Sequence, residues 1–273
     1  MSVRVTLERS RMKLFNADVD PDDPGRADGV ALLYSGGCDS TLAACRLAQY
    51  FPKVYLNTFD RMGFIETGAP SVHFDRMVLR YPDVSFKHAL IPFQKFYESV
   101  ESHEYLRSLW TYGSMAVVPC GHCKLAMHWR NLLFCVENGV KYAADGAVYG
   151  NEYFAEQNPK ILMPALVDFY GRFGITLVHP VFEEGLNTEE ELFELGITDA
   201  RRVKRTAKDK QVICSQHIMF AAFMRKYLTN HSFDEYEANY RTYLQKKVDY
   251  IQKLTVDHFD GPREKSTLAP LLG

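Results

Sequence analysis

Several absences narrow what this chain can be. No apolar stretch approaches the roughly 20 residues that span a bilayer, and the N-terminus lacks the apolar core of a signal peptide. A cytoplasmic protein with no membrane partner is the expectation. Charge of one sign is not in excess: 32 Lys and Arg stand against 34 Asp and Glu, a formal net charge of −2. No global basic field therefore announces a nucleic-acid partner, although local patches can serve that purpose. Internal repeats and low-complexity segments are lacking. Six cysteines occur, but with one close pair and no late group of four. In a reducing compartment they argue for metal or redox chemistry over structural disulfides.

What is present suits one large domain, or one domain with a helical extension. The chain has 273 residues, 47% hydrophobic and 24% charged, ample material for a core. Its organising stretch is Tyr34-Ser35-Gly36-Gly37-Cys38-Asp39-Ser40, where the apolar run Val30-Ala31-Leu32-Leu33 breaks at two glycines and restarts as a helix. Two glycines let consecutive N–H groups face one point, and the helix that follows adds its positive end, which makes an anion site. Ser35, Ser40 and Thr41 add hydroxyl donors. No Gly-Lys-Ser/Thr follows, so this is not a Walker loop. Cys38 stands at the variable position of the loop and is assigned no chemistry.

Alternating signals predict an α/β fold, a parallel five-stranded sheet sandwiched by helices with an α-helical C-terminal part. The strands are expected at Val30–Leu33, Lys53–Asp60, Ser85–Ile91, Lys141–Val148 and Gly174–Val181. Helices are expected at Thr41–Tyr50, Ser71–Tyr81, through much of Pro92–Tyr112, from Cys120 onward, within Asn158–Tyr170, from Thr188 and over Ile218–Tyr227. Ser232 and Glu235 form a capping box for a long helix whose buried stripe is Tyr236, Tyr240, Leu244, Val248, Ile251 and Leu254. Its exposed face carries Lys246, Lys247 and Lys253. Residues 1–29 read as an N-terminal arm and surface linker, 30–183 as the nucleotide domain, 184–260 as the helical C-terminal region and 261–273 as a poorly ordered tail. Asp60 ends the second strand, where ligands of open α/β sheets bind, and is a candidate acid, metal ligand or substrate contact. The basic run Arg201–Lys210 reads either as a solvated face or as a phosphate-contacting patch.

Pro119-Cys120-Gly121-His122-Cys123 is the second feature. Two cysteines three apart at a helix start present both sulfurs to one point, and helix N–H groups with nearby cations lower thiol pKa. Half a zinc site, a thiol redox pair and part of an iron–sulfur site all fit that spacing. His122 and His128 are possible further ligands, although a His between two cysteines is usually a spacer. Cys135 lies several helical turns from Cys123 and is out of reach. Cys214 opens an apolar helix and completes a three-thiolate set with Cys120 and Cys123.

The glycine loop resembles the PP-loop of the ATP pyrophosphatase superfamily, whose sheet is of the adenine nucleotide alpha hydrolase type. Together with the Pro-Cys-x-x-Cys before a basic helix and a third cysteine about ninety residues on, the layout is similar to the tRNA 2-thiouridine and 2-thiocytidine synthetases, over roughly Val30 to Tyr227. The resemblance implies an ATP-dependent, AMP-forming sulfurtransferase. Tyr34, Ser35, Gly36, Gly37, Asp39, Ser40, Thr41 and Asp145 would bind nucleotide with Mg²⁺. Asp39, Asp60, Cys120, Cys123 and Cys214 would serve catalysis, the three cysteines holding a [4Fe–4S] cluster, with zinc as the alternative. A tRNA base or small heterocycle, a sulfur donor and a homodimer are the partners considered. The family's Gly-His-Asn/His-x-x-Asp-Asp stretch is replaced here by Asp145-Gly146-Ala147-Val148-Tyr149-Gly150-Asn151-Glu152, which leaves the substrate open. The 7-cyano-7-deazaguanine synthases, ligases with a zinc-bound cysteine cluster, are the second resemblance, and a non-catalytic nucleotide-binding module is the third reading.

Overall fold

A computed structural model of the chain describes residues 12–14, 17–19, 22–67, 72–199, 212–261 and 268–272. The basic run at 201–210 lies outside the described residues. In chain order the elements are β1 (Met12–Leu14), β2 (Ala17–Val19), β3 (Val30–Leu33), α1 (Cys38–Leu47), β4 (Lys53–Asp60), β5 (Phe64–Ile65), α2 (Val72–Arg80), β6 (Ser85–Pro92), α3 (Gln94–Ser102), α4 (Tyr105–Tyr112) and α5 (Pro119–Asn138). They continue with β7 (Tyr142–Ala144), α6 (Met163–Gly171), β8 (Thr176–Val178), α7 (Thr188–Glu194), β9 (Ile213–Cys214), α8 (His217–Tyr227), α9 (Phe233–Asp260) and α10 (Ala269–Leu272).

The main sheet has the order β6-β4-β3-β7-β8, and every pairing in it is parallel. The fold is therefore the expected one, with all five strands in the predicted places. Parallel strands need both faces covered, and side chains of successive residues point to opposite faces. On β3, Ala31 and Leu33 enter the core beneath α3, α5, α6 and α9, whereas Val30 and Leu32 enter the core beneath α1 and α7. Trp129 of α5 fills the first core, edge-on to Phe96 at 4.9 Å, and donates its Nε1–H to Thr255 Oγ1 at 2.8 Å. Tyr236, Tyr240, Leu244, Val248 and Ile251 of α9 are buried in that same core. The second core is clamped by Arg46 of α1, which makes a two-pronged contact with Glu191 of α7 at 3.1 and 2.7 Å and reaches Pro180 O at 2.9 Å.

Three details differ from the sequence expectations. Ala17–Val19 is not surface linker but the second arm of an antiparallel hairpin with β1, because Val19 is drawn into the second core at 1% exposure. Lys247 does not lie on the exposed face of α9. It is 1% exposed, and its Nζ donates to Val100 O at 2.9 Å, to Glu101 O at 3.4 Å and to His103 O. The end of α3 leaves carbonyls without helical partners, and a cation satisfies them. Nor is the whole C-terminal segment a loose tail: Leu268 is fully buried and Lys95 Nζ donates to Pro270 O at 3.0 Å.

Candidate functional site

The strand order reverses between β3 and β7, since β4 and β6 lie on one side of β3 and β7 and β8 on the other. Ligands of such sheets sit at that switch point, beyond the C-terminal strand ends. The glycine loop is there. Tyr34 N donates to Asn57 O at 2.9 Å and Thr58 Oγ1 to Tyr34 O at 2.9 Å, fastening the loop to β4. Gly36 has φ +78°, a conformation that favours glycine. Gly37 is the N-cap of α1 and supplies no side-chain cap, so the N–H groups of the first turn keep capacity for an anion. Ser35 and Ser40 brace the turn: Ser35 N donates to Ser40 Oγ at 3.3 Å, Gly37 N to Ser35 Oγ at 3.3 Å and Ser40 Oγ to Gly37 O at 3.2 Å.

This loop lines a cavity of about 280 Å³ with Tyr34, Ser35, Gly37, Asp39 and Ser40 among its walls. Thr41, by contrast, is fully buried. Asp39 accepts from Thr188 Oγ1 at 2.9 Å, and burial raises its carboxyl pKa against that hydrogen bond. Gly146, just beyond β7, also lines the cavity. A Cβ there would sit 2.9 Å from Ser40 N and 3.2 Å from Asp39 C, so only glycine permits this approach to α1.

Asp145 and Asp60 are placed differently from the loop residues. Asp145 is 1% exposed, taking His179 Nδ1 at 2.8 Å, His128 Nε2 at 3.4 Å and Ala147 N–H at 3.0 Å. Burial would raise its carboxyl, but the two imidazoles outweigh it and hold the pKa well below the usual range. Burial lowers the pKa of His128 despite the carboxylate. The carboxylate is thus an internal strut, and its neighbour Gly146 is what faces the glycine-loop cavity. Asp60 accepts from Thr67 Oγ1 at 2.9 Å, outside the described walls of that cavity.

Cys120, Cys123 and Cys214 meet on one smaller cavity of about 140 Å³. Cys120 and Cys123 come from the first turn of α5, and Gly121 between them is required because a Cβ would lie 2.5 Å from Tyr240 Oη. Cys214 is delivered by the antiparallel ribbon of β5 and β9, in which it pairs with Phe64. Val212 N donates to Ser35 O at 2.9 Å, tying the ribbon to the glycine loop. Burial raises the thiol pKa of Cys120 and pushes that of Cys123 up to about 11, against the opposing charge of Arg61. His122 turns away to Tyr243 Oη at 2.5 Å, its pKa pushed down to about 3 by burial. His128 is committed to Asp145, so neither histidine joins the cysteines. Among the described residues no group of three or more His, Cys, Asp or Glu side chains is set to hold a metal ion. The thiols converge, but they do not form a ligand cage as they stand.

Three side chains of this cavity escaped sequence reasoning. Arg61 is 6% exposed, donating Nε–H to Cys123 Sγ at 3.3 Å and an N–H to Gln216 Oε1 at 2.6 Å, with its guanidinium 4.1 Å from the Tyr97 ring centre. Its position one past Asp60, at the same strand end, was the available signal. Glu156 is 6% exposed, and its Oε2 is buried without a hydrogen-bond partner among the described residues. Burial raises its pKa, with the charge of Lys124 opposing. Nothing in the local sequence marks it. Lys124 directly follows the cysteine pair and lines both cavities, as do Phe64, Met127 and Cys214.

Fold and site together define an α/β protein with a glycine-loop cavity at the switch point of a parallel sheet and a thiol cavity against it. No protein-family model matches the chain, and no curated protein matches it significantly.

Proposed function

We propose that the protein is an ATP-dependent sulfurtransferase of the PP-loop pyrophosphatase type, activating a carbonyl oxygen of a tRNA base or small heterocycle and replacing it with sulfur. The observation that carries this reading is the shared wall: Cys214 and Lys124 line both the glycine-loop cavity and the three-cysteine cavity. A group activated in the first is within reach of a thiol in the second, the proximity such a transfer needs.

The ATP phosphates would lie on the N–H groups of the α1 first turn, with Mg²⁺ neutralising the departing pyrophosphate. The substrate oxygen attacks the α-phosphorus, an O–P bond forms, and pyrophosphate leaves with the electron pair of the broken bridging bond. A ring N–H proton goes to solvent at this stage and returns when the thiocarbonyl forms. Sulfur arrives from a persulfide donor and is carried on Cys123, the cysteine that accepts the Arg61 N–H. Its outer sulfur attacks the activated carbon, the C–S bond forms, and AMP leaves with the pair of the C–O bond. Cys120 then attacks Cys123 Sγ, which releases the thio product as a thiolate and leaves a disulfide for an external thiol reductant. The same three cysteines are the residues that a four-iron cluster or zinc would use, but their arrangement does not fit such a group as it stands, and no step is drawn through one.

The test is AMP and pyrophosphate release with nucleobases, carboxylates and tRNA as acceptors, together with iron, acid-labile sulfide and zinc analysis after anaerobic purification. Ser35→Ala and Asp39→Ala are expected to abolish AMP formation, and survival of turnover in both overturns the loop assignment. Turnover with a carboxylate and stoichiometric zinc favours the ligase reading. ATP binding without turnover on any acceptor leaves a nucleotide sensor. About four irons per chain would restore the cluster.

A further inference from the structure

We infer that Lys124 is a catalytic residue that holds the α-phosphoryl group, at the point where the two cavities join; this rests on the ATP reading above. Two cations line the cavities. Arg61 is consumed by the protein itself, through Cys123 Sγ, Gln216 Oε1 and Met62 O. Lys124 makes no hydrogen bond or ion pair with any described residue. It is partly buried with apolar neighbours, for Phe64 and Met127 share both cavity walls with it. The carboxyls that share its cavities are Asp39 in the larger and Glu156 in the smaller, and neither forms an ion pair with it. A partly buried cation beside apolar walls is a ready partner for a ligand anion held in the same cavity.

The position says which anion. The α1 first turn, which lines the larger cavity alone, takes the terminal phosphates, and the thiols in the smaller cavity must reach the substrate carbon. The one charged group of an adenylated substrate that must lie between them is the α-phosphoryl group. There Lys124 would neutralise the equatorial oxygens as the substrate O–P bond forms and the bridging P–O bond breaks. It would also steady the AMP phosphate as that leaves with the electron pair of the C–O bond. The nucleotide pose follows: pyrophosphate toward Gly37 and Ser40, the α-phosphorus at Lys124, and the reacting carbon toward Cys123.

Calorimetry with AMP and with adenosine on the full-length chain separates this role from a structural one, because the two probes differ by the phosphate alone. Wild type is expected to bind AMP more tightly than adenosine. Lys124→Gln should weaken AMP binding by about tenfold, the worth of one charge-assisted contact, and leave adenosine binding unchanged. Lys124→Arg should keep most of the AMP preference. Equal weakening of both probes by Lys124→Gln, or no change in either, overturns the assignment while leaving ATP binding by wild type, and so the proposed function, intact. Failure of wild type to bind ATP or AMP at all overturns both.

Discussion

The glycine-loop cavity and the thiol cavity share a wall but differ in how much of each one local stretch supplies. Half of the first comes from one short stretch between Leu33 and Ser40, the rest from Phe59, Phe64, Lys124, Met127, Gly146, Val212 and Cys214. The second draws Arg61, the Cys120–Lys124 turn, Glu156 and Cys214 from four separate segments. The loop therefore depends on local backbone geometry, whereas the thiol cavity depends on how α5, the β5–β9 ribbon and α9 dock. One residue change in the loop should act on nucleotide binding with little effect on the fold. The same change around the thiols should register in stability as well.

The largest expected effect tests the strut beneath both cavities. Asp145→Asn should cost about 3 kcal/mol in chemical denaturation at neutral pH, since it removes a buried carboxylate that accepts from His179 Nδ1 and Ala147 N and charge-assisted bonds of that kind are the strong ones. The pH dependence has a defined sign. Asp145 has a depressed folded pKa, so its contribution is full above the unfolded value near 3.9 and is lost as pH falls toward the lower folded value. His128 and His122 are also depressed, so the unfolded chain binds more protons below about pH 6.5 and stability declines from there. Denaturant midpoints measured from pH 7 to pH 3 should fall steadily in wild type, and the steepest part, below pH 4, should flatten in Asp145→Asn. A variant as stable as wild type would mean that the strut is unimportant.

Next come the two crowded glycines, one for each region. Gly146→Ala forces a Cβ against the Ser40 and Asp39 backbone and should cost about 1–3 kcal/mol as overpacking, with loss of most ATP affinity in calorimetry. Gly121→Ala instead meets the far end of the Tyr240 side chain, and should cost a similar amount with ATP affinity retained. Tyr240 Oη is buried without a partner among the described residues. Tyr240→Phe should therefore be close to neutral alone and rescue Gly121→Ala in a double-mutant cycle. Equal loss of ATP binding in both glycine variants would erase the distinction between the regions.

A smaller change is expected at Lys247, outside both cavities. Lys247→Met strips three carbonyls at the end of α3 of their donor and should lower stability by about 1–3 kcal/mol, with AMP formation unaltered once the protein is folded. Smallest of all should be the nucleotide response to removing the paired thiols. Cys120→Ser and Cys123→Ser combined should leave ATP affinity within about twofold of wild type, since neither lines the glycine-loop cavity, while ending sulfur transfer. A larger loss of ATP affinity would show that the two cavities form a single unit.

Most of the fold could be read from the chain, and for a physical reason. Val30–Leu33, Lys53–Asp60 and Ser85–Pro92 are apolar or alternating runs bounded by turn residues, and the burial of the two central ones leaves such runs few alternatives. The Ser232–Glu235 capping box is likewise local, and its reciprocal hydrogen bonds are present. Lys247 was misread because a lysine in a helix is ordinarily solvated; its burial depends on the end of α3, 144 to 147 residues away in sequence. A nucleotide contact at Asp145 is what the family resemblance implies, from the run that replaces the family's stretch after the glycine loop. The commitment of Asp145 to His128 and His179 needed the packing of α5 and the chain after β8.

The sequence by itself determined the turn at Ser35–Ser40, the strand set and the spacing of Cys120 and Cys123 on one helical turn. Each follows from neighbours within a few residues, where backbone sterics and side-chain period leave little choice. Tertiary structure alone decided that Cys214 reaches the other two cysteines, that Arg61 lies against Cys123, and that Gly146 faces Ser40. Those contacts exist because the strand order reverses between β3 and β7 and because β9 pairs with β5, and long-range pairing of that kind is not written in any short stretch of the chain.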